Sequence, residues 1–188
     1  MKKHFFALAG LIAGAASLSA TVVIPPTFEQ LVDQAEVIFH GSVTNVSSQW
    51  VGEGAERHIV SYITFKVKDA IKGSPGHSYT MRTFGGTVGE ETMKIGDGPE
   101  FQVGDDDVLF VENNGTQVVP LVGIMFGRFH VRKDASGQEV ITTNEDQPLR
   151  NVAGLARGEA AEGTGPAMSL GAFKAAIQGR LTATHQIP

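Results

Sequence analysis

The sequence predicts a mainly β protein, an antiparallel barrel or sandwich with a short N-terminal helix and a C-terminal helix. Between residues 37 and 143, short apolar runs with β-strand alternation recur at close spacing, separated by glycine-rich turns. Apolar stripes of helical period stand on either side of these runs. We therefore expect a β-barrel domain over residues 21–143, a flexible linker or arm over 144–168, and a helix and tail over 169–188.

The first element is a short amphipathic helix after Pro25-Pro26. Thr27 and Gln30 have the spacing of a capping box, in which each side chain accepts a hydrogen bond from the other residue's backbone N–H. Apolar residues then recur with helical period: Phe28, Leu31, Val32 and Ala35. We expect this stripe to pack on the sheet that begins directly after it.

Two β-rich runs, residues 37–46 and 59–67, predict the first strands. Gly41 interrupts the first run and indicates a bulge or a close backbone approach. The second run alternates cleanly, with five residues on one face: Ile59, Ser61, Ile63, Phe65 and Val67. Between the runs, the polar and glycine-containing residues 50–56 predict an exposed loop.

Glycine corners divide the middle of the chain. Residues 72–76 predict a turn into a strand over 78–84. The corner at residues 85–89 then leads into the alternating residues 91–95, and a second corner follows at 96–99.

Three further strand signals follow the second corner. Residues 108–111 are continuously apolar, which is typical of a strand covered on both faces. Asn113-Asn114-Gly115 predicts a hairpin into residues 117–122. Residues 128–132 and 139–143 alternate around a short turn and predict another hairpin.

The C-terminal part changes character. Residues 144–166 lose the alternation and become rich in Gly, Ala and Glu, which predicts a loose linker or extended arm. Ser169 then has the position of an N-cap. The helix that it begins has one apolar stripe: Leu170, Phe173, Ile177 and Leu181.

The first twenty residues have the pattern of a secretory signal, residues 1–20, with Lys2 and Lys3 before an apolar stretch and small residues up to Ala20. The stretch holds about a dozen residues, fewer than the ~20 that a membrane-spanning helix needs. We expect cleavage after Ser19 or Ala20 and an exported protein, periplasmic or secreted, with no membrane span.

The composition of the chain limits the classes of partner that the protein is expected to bind. Loss of Lys2 and Lys3 with the signal changes the formal net charge from −5 to −7, which disfavours nucleic acid as a partner. The chain has no cysteine, so packing must stabilise the domain without disulfides, and export without cysteine indicates a bacterial protein. The expected partner is another exported protein.

The acidic and histidine residues do not have the spacing of a metal site. Five acids lie beside glycines without the pattern of a calcium loop, and we interpret them as solvated turn formers: Asp97, Glu100, Asp105, Asp106 and Asp107. Four histidines are scattered and interpreted as surface or half-buried residues: His40, His58, His77 and His130. The sequence therefore predicts no metal and no cofactor.

The sequence also predicts no catalytic residues. No serine lies in a Gly-x-Ser-x-Gly elbow, and a cysteine nucleophile is absent. Residues 85–89 lack the Lys-Ser/Thr pair of a phosphate-binding loop and are interpreted as corners of the sheet. We expect a non-catalytic binding or interaction module. The alternatives are an inhibitor or accessory protein of a secreted protease, and a secreted hydrolase or metal-dependent enzyme.

The candidate contact surface lies in the loops at the ends of the strands, where polar groups concentrate. Its predicted binding residues come from the loop at 50–56 and the two glycine corners: Trp50, Gly85, Gly86, Gly89 and Asp97. Convergence of His58, His77 or His130 with Asp105 or Asp107 in one concave pocket would instead favour a metal-dependent site.

Several motifs between residues 27 and 133 resemble a family of small exported bacterial proteins of unknown function. They are Ala35-Glu36-Val37-Ile38 with Gly41-x-Val43, Tyr62-x-Thr64-Phe65-x-Val67 with Lys72-Gly73, Gly85-Gly86-x-x-Gly89, and Phe101-x-Val103-Gly104-Asp105 with Leu109-Phe110. The order of strand, Lys-Gly turn, strand and Gly-Asp turn is also similar to the OB-type barrel of netrin-like modules and tissue inhibitors of metalloproteases. Those inhibitors use an N-terminal cysteine and disulfides, which this chain lacks. The resemblance implies an OB-like fold and leaves the function open.

Overall fold

The computed structural model describes residues 24–96 and 98–184, and their fold is mainly β. The strands are β1 Val37–Val51, β2 His58–Lys72, β3 Ser78–Phe84, β4 Gly86–Val88, β5 Glu91–Met93, β6 Asp106–Val111, β7 Arg128–Lys133 and β8 Glu139–Thr143. The α-helices are α1 Phe28–Gln34 and α2 Leu170–Thr184, and short 3-10 helices lie at Gly54–Glu56, Ile124–Gly127 and Val152–Arg157.

Six strands form one antiparallel sheet in the order β3-β2-β1-β6-β7-β8, and β4 pairs with β5 in a separate ribbon. The described strands form an open sheet that does not close into a barrel. β1 and β2 are its longest strands and pair with each other, and a register shift falls between His40 and Gly41. A Cβ at Gly41 would lie 2.8 Å from the carbonyl oxygen of Lys66. The irregularity and close approach predicted at Gly41 are therefore confirmed.

The sheet separates two apolar cores. Val108 and Phe110 of β6 point into the core beneath α1 and α2. Leu109 and Val111 point into the core on the opposite, concave face, which also holds Phe65. Since all four β6 residues are at most 1% exposed, the prediction of a strand covered on both faces is confirmed.

Both terminal helices begin where their capping residues predict. In α1, the backbone nitrogens of Thr27 and Gln30 lie 2.8 and 3.1 Å from the opposite side-chain oxygens, which completes the capping box. In α2, Ser169 Oγ accepts a hydrogen bond in the first turn. Phe173 of α2 then packs against three aromatic rings: Phe28, Phe110 and Phe129.

Residues 144–168, expected as a loose linker or arm, run along β8 in the described structure. The backbone N–H of Leu149 donates to Ile141 O at 2.9 Å, and that of Ile141 donates to Met168 O at 2.9 Å.

 Leu149 is fully buried and Ala160 is 5% exposed, so both belong to the core beneath the helices. They are isolated apolar positions in a stretch without strand alternation, which is why the sequence pattern did not reveal this packing.

The prediction that Trp50 lies in an exposed loop is wrong. Trp50 belongs to β1 and pairs with Ile59 of β2, and its side chain is half-buried. The Arg57 guanidinium lies 4.0 Å from the centre of the indole ring. The hairpin is longer than the apolar pattern because polar residues near its tip still pair through their backbones.

The prediction of a strand over residues 117–122 is also wrong. Within this segment only Leu121 makes a β-bridge, an isolated one to Val111. Pro120 has no backbone N–H to donate to a ladder. The chain instead crosses towards β3, where Val118 O accepts a hydrogen bond from the Phe84 N–H at 2.8 Å.

Candidate functional site

A cleft of about 560 Å³ opens on the concave face of the sheet. Its floor comes from the distal parts of β1, β2 and β3, and its walls come from the β4–β5 ribbon and residues 94–96 and 98–101. The ribbon stands over the floor because Gly85 and Gly86, both with positive φ, turn the chain sharply after β3. The cleft is therefore a product of the first glycine corner.

A chain of hydroxyl groups crosses the floor of the cleft. Ser61 Oγ donates to the carbonyl oxygen of Gly85 at 2.7 Å, and it lies 2.8 Å from Ser48 Oγ. Because a serine hydroxyl has one proton, Ser61 must accept the proton of Ser48. The chain of hydrogen bonds therefore runs from Ser48 through Ser61 to Gly85.

Gly86 brings the ribbon into direct contact with this floor. A Cβ at Gly86 would overlap the hydroxyl oxygens of Ser48 and Ser61, and its φ of +130° lies in a region that L side chains rarely adopt. Glycine is thus required at this position for both space and backbone conformation.

The base of the cleft is apolar and its rim carries charge. Ile63 and Val119 at the base are 2% and 5% exposed and belong to the concave core. Lys94 Nζ and Glu100 Oε1 are 2.5 Å apart, with both side chains exposed to solvent. Among the described lining residues, these two are the charged ones, and they are paired with each other.

Arg128 of β7 fixes the part of the cleft wall formed by residues 98–101. Its Nη1 donates to the carbonyl oxygen of Glu100 at 2.6 Å, and its Nη2 donates to Asp105 Oδ2 at 2.7 Å. The guanidinium carbon also lies 4.0 Å from the centre of the Phe101 ring. Since Glu100 and Phe101 line the cleft, a buried arginine behind the cleft determines the position of its wall.

The interpretation of the acidic run as solvated turn formers is wrong for Asp106, which belongs to β6 and is paired with His40 and Lys68, and for Asp107. The Asp107 carboxylate is fully buried, accepts a hydrogen bond from Arg128 Nε at 3.0 Å, and lies 2.7 Å from His130 Nδ1. These three residues meet across β6 and β7, where Asp107 and His130 are in register. A charge on one face of β6 and two basic groups on one face of β7 were the sequence signals for this cluster.

The Asp107 and His130 pair does not line the cleft. Across residues 24–96 and 98–184, no three His, Cys, Asp or Glu side chains group as metal ligands. His58 stacks on the Phe84 ring at 5.0 Å, and His77 is exposed. Only His130 of these three histidines thus meets Asp107, and the pair does not line the cleft. His40 and His130 are buried, so the interpretation as surface or half-buried residues is wrong for these two.

A second polar cluster lies on the opposite face of β6. His40 Nε2 is 2.9 Å from Asp106 Oδ1, and Lys68 Nζ is 2.6 Å from Asp106 Oδ2. Burial lowers the pKa of His40 below its ordinary value, and the Asp106 carboxylate partly opposes this shift. The nearby cation of Lys174 acts in the same direction as burial.

The predicted binding residues divide into separate groups. Gly85 and Gly86 line the cleft. Gly89 lies at the tip of the ribbon with open space around it, and Trp50 packs with Arg57 and is not among the lining residues. Asp97 lies outside the described residues, as does the predicted signal over residues 1–20.

Sequence reasoning missed most of the cleft floor. Ser48 and Ser61 come together through the register of β1 and β2, which depends on bulges that the sequence does not specify. One signal was available, because Ser61 interrupts the otherwise apolar face of Ile59, Ile63 and Phe65. A polar residue at such a position has a hydrogen-bond partner in the fold.

Comparison with known proteins gives no relative, since no family model, curated protein or solved structure matches the chain. In the part of the chain that the structure describes, no helix has the length and apolar character needed to cross a membrane.

Proposed function

We propose that the protein is a non-catalytic binding module that holds a small molecule in the cleft on its concave face. The observation that carries the proposal is the cleft itself, whose volume of about 560 Å³ falls within the range of small-molecule sites, roughly 300–1,000 Å³. An apolar base with a few convergent polar groups is also the usual composition of such sites.

The contacts of the polar groups support binding over catalysis. The hydrogen bonds of Ser61 go to Ser48 and the Gly85 carbonyl, so no base among the described residues is aligned to take its proton. The Asp107 and His130 pair resembles a base with its orienting acid. However, Arg128 also donates a hydrogen bond to the Asp107 carboxylate, and the pair does not line the cleft.

Fluorescence titration with N-phenyl-1-naphthylamine, an apolar probe, tests the proposal. Val46 lines the cleft, whereas the neighbouring Ser47 is exposed on the other side of β1. Val46→Trp fills the cleft and should weaken probe binding by about tenfold or more, while the matched Ser47→Trp should leave it unchanged. Equal affinity of the wild type and Val46→Trp, with both variants folded, would place the probe elsewhere and overturn the proposal.

Two activity assays separate the proposal from its rivals. Hydrolysis across an ester, peptide and glycoside panel that Ser61→Ala or Asp107→Asn abolishes would make the protein an enzyme. Stoichiometric inhibition of a secreted protease that survives Val46→Trp would make it an inhibitor acting through surfaces outside the cleft. The binding module predicts neither result.

We also propose that the sheet is an opened OB-like barrel, in keeping with the resemblance to small exported bacterial proteins. The support comes from the edge of β3 that pairs with no other strand of the sheet. The Phe84 N–H donates to Val118 O at 2.8 Å, and the Arg82 N–H donates to Asn114 Oδ1 at 3.0 Å. The loop after β6 thus covers the edge that a closed barrel would pair. A crystal structure in which this loop leaves β3 would contradict the assignment.

Export is the remaining part of the proposal. The pattern of residues 1–20 supports a cleaved signal. Mass spectrometry of the protein from its native host should show a chain that begins at Ala20 or Thr21. An intact N-terminus in a membrane fraction would instead make the apolar stretch an anchor.

A further inference from the structure

We infer that the cleft selects an uncharged amphiphile, a molecule with an apolar tail and a hydrogen-bond donor such as an alcohol at its head. This inference rests on the proposed function and adds the class of ligand. It is carried by the direction of the hydrogen bonds on the floor and by the distribution of charge around the cleft.

The floor presents acceptors to a ligand. Ser61 gives its proton to the Gly85 carbonyl, and Ser48 gives its proton to Ser61. Both hydroxyl protons are therefore used within the protein, and the lone pairs of Ser48 Oγ remain to accept a hydrogen bond. A ligand group that donates, such as an alcohol O–H, fits this position, whereas a carboxylate or sulfonate offers only acceptors.

The electrostatic environment disfavours a charged head group of either sign. The described charges of the lining, Lys94 and Glu100, are 2.5 Å apart and satisfy each other at the rim. An ion that entered the cleft would lose hydration without gaining an unpaired counter-charge. An alcohol loses much less on leaving water, and Ser48 replaces one of its hydrogen bonds.

The apolar base defines the other end of the ligand. Ile63, Phe101 and Val119 lie at the junction between the cleft and the concave core. An aliphatic tail placed against them gains the hydrophobic free energy of its buried surface. The polar floor and apolar base together orient the ligand with its tail towards the core.

A set of competitors that share a ten-carbon chain tests the inference against the bound N-phenyl-1-naphthylamine. We expect 1-decanol to displace the probe at roughly 3- to 10-fold lower concentration than 1-methoxydecane, which lacks the donor, because one hydrogen bond contributes about that factor. Decanoate and protonated decylamine should compete more weakly than decanol. Ser48→Ala should bring the ratio between decanol and its methyl ether close to one.

Two outcomes separate this inference from the proposed function. If Val46→Trp blocks the probe but decanol and its ether compete equally in the wild type, the cleft binds ligands and the inference about the head group is wrong. If Val46→Trp has no effect on the probe, the proposed function itself fails. In Asp97→Asn, decanoate should remain a weak competitor; strong competition there would assign the selectivity to Asp97 and overturn the role of the floor.

Discussion

Arg128 and Asp107 form a buried ion pair, with Arg128 Nε 3.0 Å from Asp107 Oδ2 and side chains that are 3% and 0% exposed. The same guanidinium bonds to Asp105 and to the Glu100 carbonyl. This one residue therefore joins β6 and β7 to the wall of the cleft. Its contribution to stability and to binding is open to direct measurement.

Arg128→Met should lower the free energy of unfolding by about 3–5 kcal/mol, because it leaves the Asp107 carboxylate buried without the guanidinium charge and with His130 as its remaining partner. Guanidinium chloride unfolding measures the change. Arg132→Met is the control, since Arg132 and Asp146 form an exposed pair worth about 0–1 kcal/mol. Similar losses in the two variants would show that the buried pair adds nothing beyond a surface one.

Gly86→Ala should destabilise the protein by about 1–3 kcal/mol more than Gly89→Ala. Both glycines have positive φ, but only the Cβ at Gly86 meets other atoms, the hydroxyl oxygens of Ser48 and Ser61. Thermal unfolding compares the two variants. Equal midpoints would mean that the ribbon moves away from the floor without cost.

The two terminal helices could be predicted from local sequence, whereas the cleft could not. The capping box of Thr27 and Gln30 lies within one helical turn, so spacing alone predicts it. Ser48 and Ser61 meet only through the register of a bulged hairpin, and Asp107 meets Arg128 across 21 residues of sequence. Such contacts depend on tertiary pairing, and hydrophobic periodicity gives no information about that pairing.

Lowering the pH from about 7 to 5 should destabilise the wild type through His40. Burial lowers the pKa of His40 in the folded state, so the unfolded state binds more protons as the pH falls below its unfolded pKa of about 6.5. The stability is full above that value and is lost as the pH falls towards the folded pKa. Urea unfolding at several pH values gives the slope.

His40→Gln is the matching variant, because it removes the titrating group. Its stability should vary less between pH 7 and 5 than that of the wild type. A hydrogen bond from Arg180 lowers the pKa of Asp33 below its ordinary value. The stability that this carboxylate contributes is therefore lost only at lower pH. An unchanged slope in His40→Gln would assign the pH dependence to other groups.

Phe173→Ala should cost about 3–5 kcal/mol if α2 is an integral part of the core. The ring is fully buried, and its centroid lies 5.0 Å from that of Phe129 and 6.1 Å from that of Phe28. Thr182→Ala, on the exposed side of the same helix, should change stability by less than about 0.5 kcal/mol. A small loss for Phe173→Ala would mean that α2 does not depend on this contact to stay docked.

The position of a bound ligand tests the central claim most directly. In an amide NMR titration with N-phenyl-1-naphthylamine, the largest chemical-shift changes should fall on Ser48, Ser61, Thr83 and Gly85, which line the cleft. Amides of α2, on the opposite face of the sheet, should shift little. Changes centred on α2, or on Trp50 and Arg57, would contradict the assignment of the cleft as the binding site.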